Sequence, residues 1–291
     1  MRSPLTEIGV DAKKGEYITA INGQSLENVA DVYQLLVGMA DRQVELQLNS
    51  KPTFAGSRKL IVIPIASESG LFYYNWVQAN IRKVDEATNG QVGYIHIPDM
   101  GPDGLNEFVK HFYPQLNKKA LIIDDRGNGG GNVSPMILER LQREIQRANI
   151  ARNSLIPTQT PAQMMLGPKV VLINKYSASD GDLFPYGFKK YGIGKVIGVR
   201  SWGGVVGIRG SLPFVDGTDL RKPEYATYSS DTGQWIIEGY GVDPDIVIDN
   251  DPAREYAGVD DQLNKAIEVI LEELKNYKPV PPVPDAPDKS R

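Results

Sequence analysis

The residues from Lys169 to Phe184 read Lys-Val-Val-Leu-Ile-Asn-Lys-Tyr-Ser-Ala-Ser-Asp-Gly-Asp-Leu-Phe. The run Val170 to Ile173 has the length and β-branching of an interior strand, while Ser179, Asp180 and Asp182 favour the first turn of a helix. Ser179 therefore falls at a strand-to-helix junction. Helix-start amides have no intrahelical acceptor and lie at the positive end of the macrodipole, so they can hold an oxyanion beside a hydroxyl. That is the chemistry of a serine acyl-transfer nucleophile. The segment alone also fits a serine that only caps the helix.

A second segment carries complementary chemistry. Ala120 to Asp124 is another apolar strand, and it runs into Asp125-Arg-Gly-Asn-Gly-Gly-Gly-Asn132. Glycine clusters after a strand let main-chain N–H groups approach a ligand. Phosphate is a poor candidate. No Gly-Lys-Ser/Thr follows for a P-loop, and Asn132 stands where a dinucleotide fingerprint needs its last glycine. A plain flexible turn also fits the composition.

The elements that would position these loops follow from periodicity. Strands are expected at 92–97, 120–124, 169–173 and 195–200, and helices at about 72–87, 102–115, 134–148 and after Ser179. That alternation signals a layered α/β core. Both candidate loops leave the C-terminal ends of strands, where open α/β sheets form their ligand crevices. Leu263, Ala266, Ile267, Ile270, Leu271 and Leu274 predict a docked amphipathic helix. Upstream, strands are expected at 17–21, 44–48 and 60–65, with an Asn22-Gly23 turn and a helix using Val29, Val32, Leu35 and Leu36. Residues 66–70 read as a linker. Lys278 to Pro287 read as an extended, solvated polyproline tail.

Composition narrows the classes. The chain has 291 residues, formal net charge −4 and no cysteine. Disulfides and thiolate metal sites are excluded, and without a basic stripe nucleic acid is a poor partner. No run of about 18 apolar residues predicts a membrane span. The two histidines, His96 and His111, are separated and outside any His-Glu-x-x-His spacing, so neither a metal nor another cofactor is expected. His111 follows Glu107 by one turn on a helix whose stripe is Leu105, Phe108 and Phe112, and reads as a boundary residue. His96 alternates with Tyr94 in a strand and reads as either a core residue or a general base.

Six motifs in order resemble the C-terminal processing peptidases and, more closely, the tricorn-type serine proteases. They are Arg2-Ser-Pro-Leu-Thr-Glu7 with Gly15 to Gly23, Gly93-Tyr-Ile-His-Ile-Pro98, Asp125 to Gly131, Ser177-Ala-Ser-Asp180, Arg200-Ser-Trp-Gly-Gly204, and Glu238-Gly-Tyr-Gly-Val-Asp-Pro-Asp245. The resemblance implies a crotonase-like (ClpP/crotonase-type) layered core preceded by a PDZ domain, acting on oligopeptides or unfolded polypeptides. It places Ser179 at the nucleophile, the Gly130 and Asp180 N–H groups in the oxyanion hole, and Glu238 at the acidic member that orients the catalytic network. For Glu238 a solvated loop carboxylate is the competing reading. A non-catalytic PDZ-like peptide-binding module and a crotonase-like acyl-CoA enzyme are rival readings of the whole chain. The second lacks a basic cluster for nucleotide phosphates.

The general base departs from the pattern. Processing peptidases use a Ser/Lys dyad, but Gly204 occupies the lysine position, and Arg200 cannot replace it because guanidinium stays protonated. The resemblance to tricorn-type enzymes implies instead a histidine before the PDZ domain. The expected organisation is a partial PDZ domain over 1–66, a protease core over 67–278 and a disordered tail over 279–291. The isolated chain is expected to be nearly inactive, and the full-length protein homo-oligomeric. A cytoplasmic location is expected, or a periplasmic one if an upstream signal peptide exists.

Overall fold

The computed structural model describes residues 3–278 and 280–285. It divides into two compact units, Met1–Ala79 and Asn80–Arg291. Part of the expected tail, residues 279 and 286–291, lies outside the described residues, as does Arg2.

In the first unit, β1 (Tyr17–Ile21) turns through Asn22 and Gly23, with φ of +49° and +78°, into β2 (Gln24–Ser25). Two consecutive positive φ angles are what an Asn-Gly hairpin turn supplies at little steric cost. β3 (Val44–Asn49) and β4 (Arg58–Val62) complete an antiparallel sheet of order β2-β1-β3-β4. Ile21, Val44, Leu46, Leu48, Leu60 and Val62 form its core, against Val32, Leu35 and Leu36. The helix expected there is a 3-10 turn over Val32–Leu36, capped by the Asp31 side chain. Left-handed Asn28 and Gly38 bracket it. The division between the units falls inside α1 (Ser69–Ala87), which takes over the last two residues of the expected 66–70 linker.

The second unit is built on strands that are apolar on both faces. These are β5 (Val92–His96), β6 (Ala120–Asp124), β9 (Lys169–Ile173), β10 (Gly194–Gly198) and the short β13 (Ile246–Val247). Their intervening elements are α2 (Pro102–Phe112), α3 (Ser134–Leu141), β7 (Arg147–Asn149), β8 (Thr158–Thr160), α4 (Asp180–Lys190), β11 (Gly207–Pro213) and β12 (Asp219–Tyr225). Among the described residues the five core strands pair in parallel in the order β13-β10-β9-β6-β5. Continuous apolar sequence suits such strands because helices cover both faces. On one face Leu121, Ile123, Val171 and Ile173 meet Phe108 and Phe112 of α2, Ile137 and Leu141 of α3, and Phe184 and Phe188 of α4. On the other, Tyr94, Ile122, Val170 and Leu172 meet Leu263, Ala266 and Ile270 of α6 (Asp261–Asn276), which follows α5 (Pro252–Tyr256).

The structure corrects the expected helix at 134–148, which stops at Leu141. Its buried stripe, Ile137, Leu138 and Leu141, ends there, and β7 pairs with β8 instead. No described helix is long and apolar enough to cross a membrane.

Because β5, β6, β9 and β10 are adjacent and parallel, the segments leaving their C-terminal ends emerge along one edge of the sheet. Those segments contain Met100, Gly130, Ser179 and Trp202. The docking of α6 is the checkable part of this scaffold. Ile270 is fully buried, so Ile270→Ala should lower unfolding stability by about 2–5 kcal/mol in urea titration. Glu272→Ala on the exposed face should change it by less than about 0.5 kcal/mol.

Candidate active site

Ser179 occupies the N-cap position of α4, yet its hydroxyl makes no capping hydrogen bond. Its backbone, at φ +57° and ψ −119°, lies outside the extended conformation of an ordinary cap. A non-glycine residue there is strained by about 1–3 kcal/mol and persists only where its surroundings impose it. Those surroundings are two interlocked loops. Asn174 Oδ1 accepts the Gly127 and Tyr176 N–H groups, while Ser177 Oγ donates to the Asp125 carbonyl at 2.8 Å. The Asn128 carbonyl accepts the Ala178 N–H at 2.8 Å.

The glycine turn meets Ser179 directly. Gly130 has φ +94°, and a Cβ added to it would lie 2.5 Å from Ser179 Cβ and 3.0 Å from the Asp180 nitrogen. Only a residue without a side chain permits this approach. The Gly130 N–H itself donates to Asn128 Oδ1 at 2.9 Å, so an anion beside Ser179 would compete with that carboxamide for the hydrogen. The Asp180 N–H opens α4, where no intrahelical acceptor exists. Its carboxylate is engaged elsewhere, accepting the Ser134 N–H at 2.9 Å and the Ser134 hydroxyl at 2.5 Å, which ties the starts of α3 and α4 together.

Glu238 is exposed, but it is not the freely solvated carboxylate of the competing reading. Its Oε2 accepts the Val205 and Val206 N–H groups at 2.7 and 2.8 Å. The preceding Ile237 has φ +70°, and Glu238 N–H donates to the Ile236 carbonyl at 2.8 Å. This is a γ-turn with positive φ, a rare conformation and a strained one for a β-branched residue. The Glu238 segment joins the loop after β10 through Gly239 N–H to Gly203 C=O. That loop joins the Ser179 turn through Trp202 N–H to Ser177 C=O and through Asp182, which accepts the Gly203 and Gly204 N–H groups.

A Cβ added at Gly204, where the resemblance to processing peptidases places their lysine, would meet the Trp202 ring. The room where a longer side chain would begin is filled by indole. The histidines are also elsewhere. His96 is buried, its Nε2 lies 3.1 Å from the Arg126 carbonyl, and burial pushes its pKa down. It supports the root of the glycine loop. His111 lies 3.2 Å from Glu107 Oε2 without hydrogen-bond alignment, and burial lowers its pKa as well.

Several residues escaped sequence reasoning because their partners are remote. Asn128 is fully buried and also donates from Nδ2 to the Ile97 carbonyl. Asp182 is fully buried, and desolvation raises its pKa against the opposing pull of its hydrogen bonds. Asp125 is fully buried with no hydrogen bond to either carboxyl oxygen among the described residues. Burial, with Asp124 alongside, raises its pKa well above the ordinary carboxylate range and so favours its neutral form. Asp124 is buried too, but the Arg126 guanidinium outweighs that burial and holds its pKa low. No group of three or more metal-ligating side chains occurs among the described residues.

With this geometry in view, similarity to known proteins can be placed on it. The profile of Peptidase family S41 matches residues 91–248, and that of the Tricorn protease PDZ domain matches residues 1–67. The chain is 40% identical over 278 residues to the tricorn protease of Thermoplasma volcanium, covering 95% of this chain and 26% of that protein. It is 38% identical over 275 residues to tricorn protease homolog 1 of Streptomyces coelicolor, covering 94% and 25%. The crystal structure of the tricorn protease superposes with a TM-score of 0.84 at 39% identity, covering 94% of this chain and 26% of that one. The chain thus spans about a quarter of the length of these relatives.

Two substitutions probe the site without reference to activity. Gly130→Ala forces an L residue into a left-handed conformation and pushes Cβ into Ser179. It should cost at least about 1–3 kcal/mol and remove hydrogen-exchange protection of the Ala178 amide. Asp125→Asn mimics the neutral acid. In the native protein the folded state retains a proton that the unfolded chain releases, so stability falls as pH rises from the ordinary aspartate pKa toward the raised one. The variant should therefore be more stable than the parent at pH 8, and the gap should close near pH 4 in parallel thermal melts.

Proposed function

Because the chain belongs to peptidase family S41, we propose that it is the catalytic core of a tricorn-type serine peptidase, hydrolysing peptide bonds of oligopeptides or unfolded polypeptides through an acyl-enzyme. The observation that carries this reading is Ser179 itself: strained, not used as a cap, and faced by Gly130. In the proposed sequence Ser179 Oγ attacks the peptide carbonyl and loses its proton to a base. The carbonyl oxygen becomes an oxyanion held by the Asp180 and Gly130 N–H groups, the Gly130 N–H turning its hydrogen bond from Asn128 Oδ1 to the oxyanion as negative charge develops. Collapse expels the amine, which takes the proton from the base, and water then hydrolyses the ester.

Glu238 is the proposed orienting acid. Its Oε2 is fixed by two amides, which supports a directional role for the remaining oxygen. Trp202 against Gly204 argues against a lysine base in that turn, so the base comes from a residue supplied upstream, a histidine by the family resemblance. On that reading the chain alone is nearly inactive, since removing a general base costs about 100- to 10,000-fold. The same proposal includes a domain division at 1–66, 67–278 and 279–291, crotonase-like layering of the core, assembly of the full-length protein into homo-oligomers and a cytoplasmic location.

Reaction of the natural protein with a fluorophosphonate, followed by peptide mapping in the mass spectrometer, tests this. The adduct should sit on Ser179 and vanish in Ser179→Ala together with peptide hydrolysis. An adduct elsewhere, or hydrolysis that survives the substitution, would overturn it.

A further inference from the structure

Arg126 is the second residue of the glycine loop, and it is nine-tenths buried. Its guanidinium forms two forks at once. Nε and one terminal nitrogen donate to Asp124 Oδ1 and Oδ2 at 2.9 and 2.6 Å. The two terminal nitrogens donate to Asp260 Oδ1 and Oδ2, each at 2.9 Å. Gln262 Oε1 accepts a further bond at 3.2 Å. Asp260 is the N-cap of α6, accepting the Leu263 N–H at 2.9 Å. A residue 134 positions away thus grips the root of the loop from the opposite face of the sheet.

The main chain of Arg126 is fixed as tightly as its side chain. Its N–H donates to Asp124 Oδ1 at 3.1 Å, and its carbonyl meets His96 Nε2 at 3.1 Å. Behind these, Tyr94 donates to Asp124 Oδ2 at 2.7 Å, and Asn80 donates to the Tyr94 hydroxyl at 3.0 Å. Two residues beyond Arg126, Asn128 holds both the Gly130 N–H and the Ala178 N–H. Any shift at Arg126 therefore reaches both loops within four residues.

Stability alone is a poor explanation for such a cluster, because a buried ion pair roughly breaks even against apolar residues of similar volume. What it provides that apolar packing does not is a fixed direction in two planes. We propose that the Arg126–Asp260 clamp is a positioning device for the reaction, with α6 setting through it the placement of the glycine loop against Ser179. This rests on the reading of Ser179 as the nucleophile. Arg126 and Asp260 are positioning residues and touch no reacting atom.

Asp260→Ser separates this role from helix capping. Serine still accepts the Leu263 N–H as an N-cap, but it is too short and uncharged to hold Arg126. In the natural protein, the rate of fluorophosphonate labelling at Ser179 and kcat for a peptide should fall about 10- to 100-fold, the scale of a misplacement near 1 Å. KM should stay within about twofold. Asp260→Glu should recover part of the loss, and Arg126→Lys, which keeps charge but loses the fork, should not escape it. Labelling of Asp260→Ser at the parent rate per folded molecule would overturn the clamp and leave the nucleophile reading standing. So would a loss that only tracks the folded fraction. Failure of the unaltered protein to label at Ser179 would overturn the nucleophile reading, and the clamp with it.

Discussion

The meeting of the two loops depends on Asn128. Parallel strands bring segments to the same edge of a sheet, but they leave the relative height and angle of those segments open. Asn128 fixes both, since its carbonyl takes the Ala178 N–H, its Oδ1 takes the Gly130 N–H and its Nδ2 donates to Ile97. Its own N–H donates to the Asp125 carbonyl. A fully buried side chain with its amide satisfied in this way cannot move without leaving polar groups unpaired, which costs about 1–3 kcal/mol for each. The strained backbone at Ser179 persists because this frame holds it.

Beneath the loops lies an accumulation of acids that would oppose negative charge at Ser179 if all were ionised and unpaired. Each is handled differently. Asp124 is neutralised by Arg126, Asp180 is bonded to Ser134, and Asp182 receives the Gly203 and Gly204 amides. Burial raises the pKa of Asp125 and favours its uncharged form. Three of these side chains, Asp124, Asp180 and Asp182, also connect β6 and α4 to the glycine loop, to α3 and to the loop after β10, so charge management and loop placement are one arrangement. Backbone strain is present in the same region. Two non-glycine residues with positive φ, Ser179 and Ile237, flank or carry the groups to which chemistry is assigned.

Much of this was legible in the amino-acid sequence. The strands at 120–124 and 169–173 are apolar on both faces, which a sheet covered on both sides accommodates, and they form with those bounds. The serine after one and the glycines after the other marked the loops. The hairpins β7–β8 and β11–β12 were missed because β7 and β8 are three residues each and β12 is exposed along its whole length, so burial imposes no clear alternation. Asn128 and Asp182 looked like ordinary turn and helix-start residues, since nothing local distinguishes a side chain bonded to its neighbours from one bonded across the fold.

By itself, then, the sequence determined which segments become strands and helices and where main-chain amides could be exposed, because periodicity and glycine act over a few residues. Only the tertiary structure decided which amide is free and which is engaged, which acid is paired and which is buried without a partner, and that Arg126 meets Asp260. Those outcomes depend on distance in space and on exclusion of water, and neither is a property of neighbours along the chain.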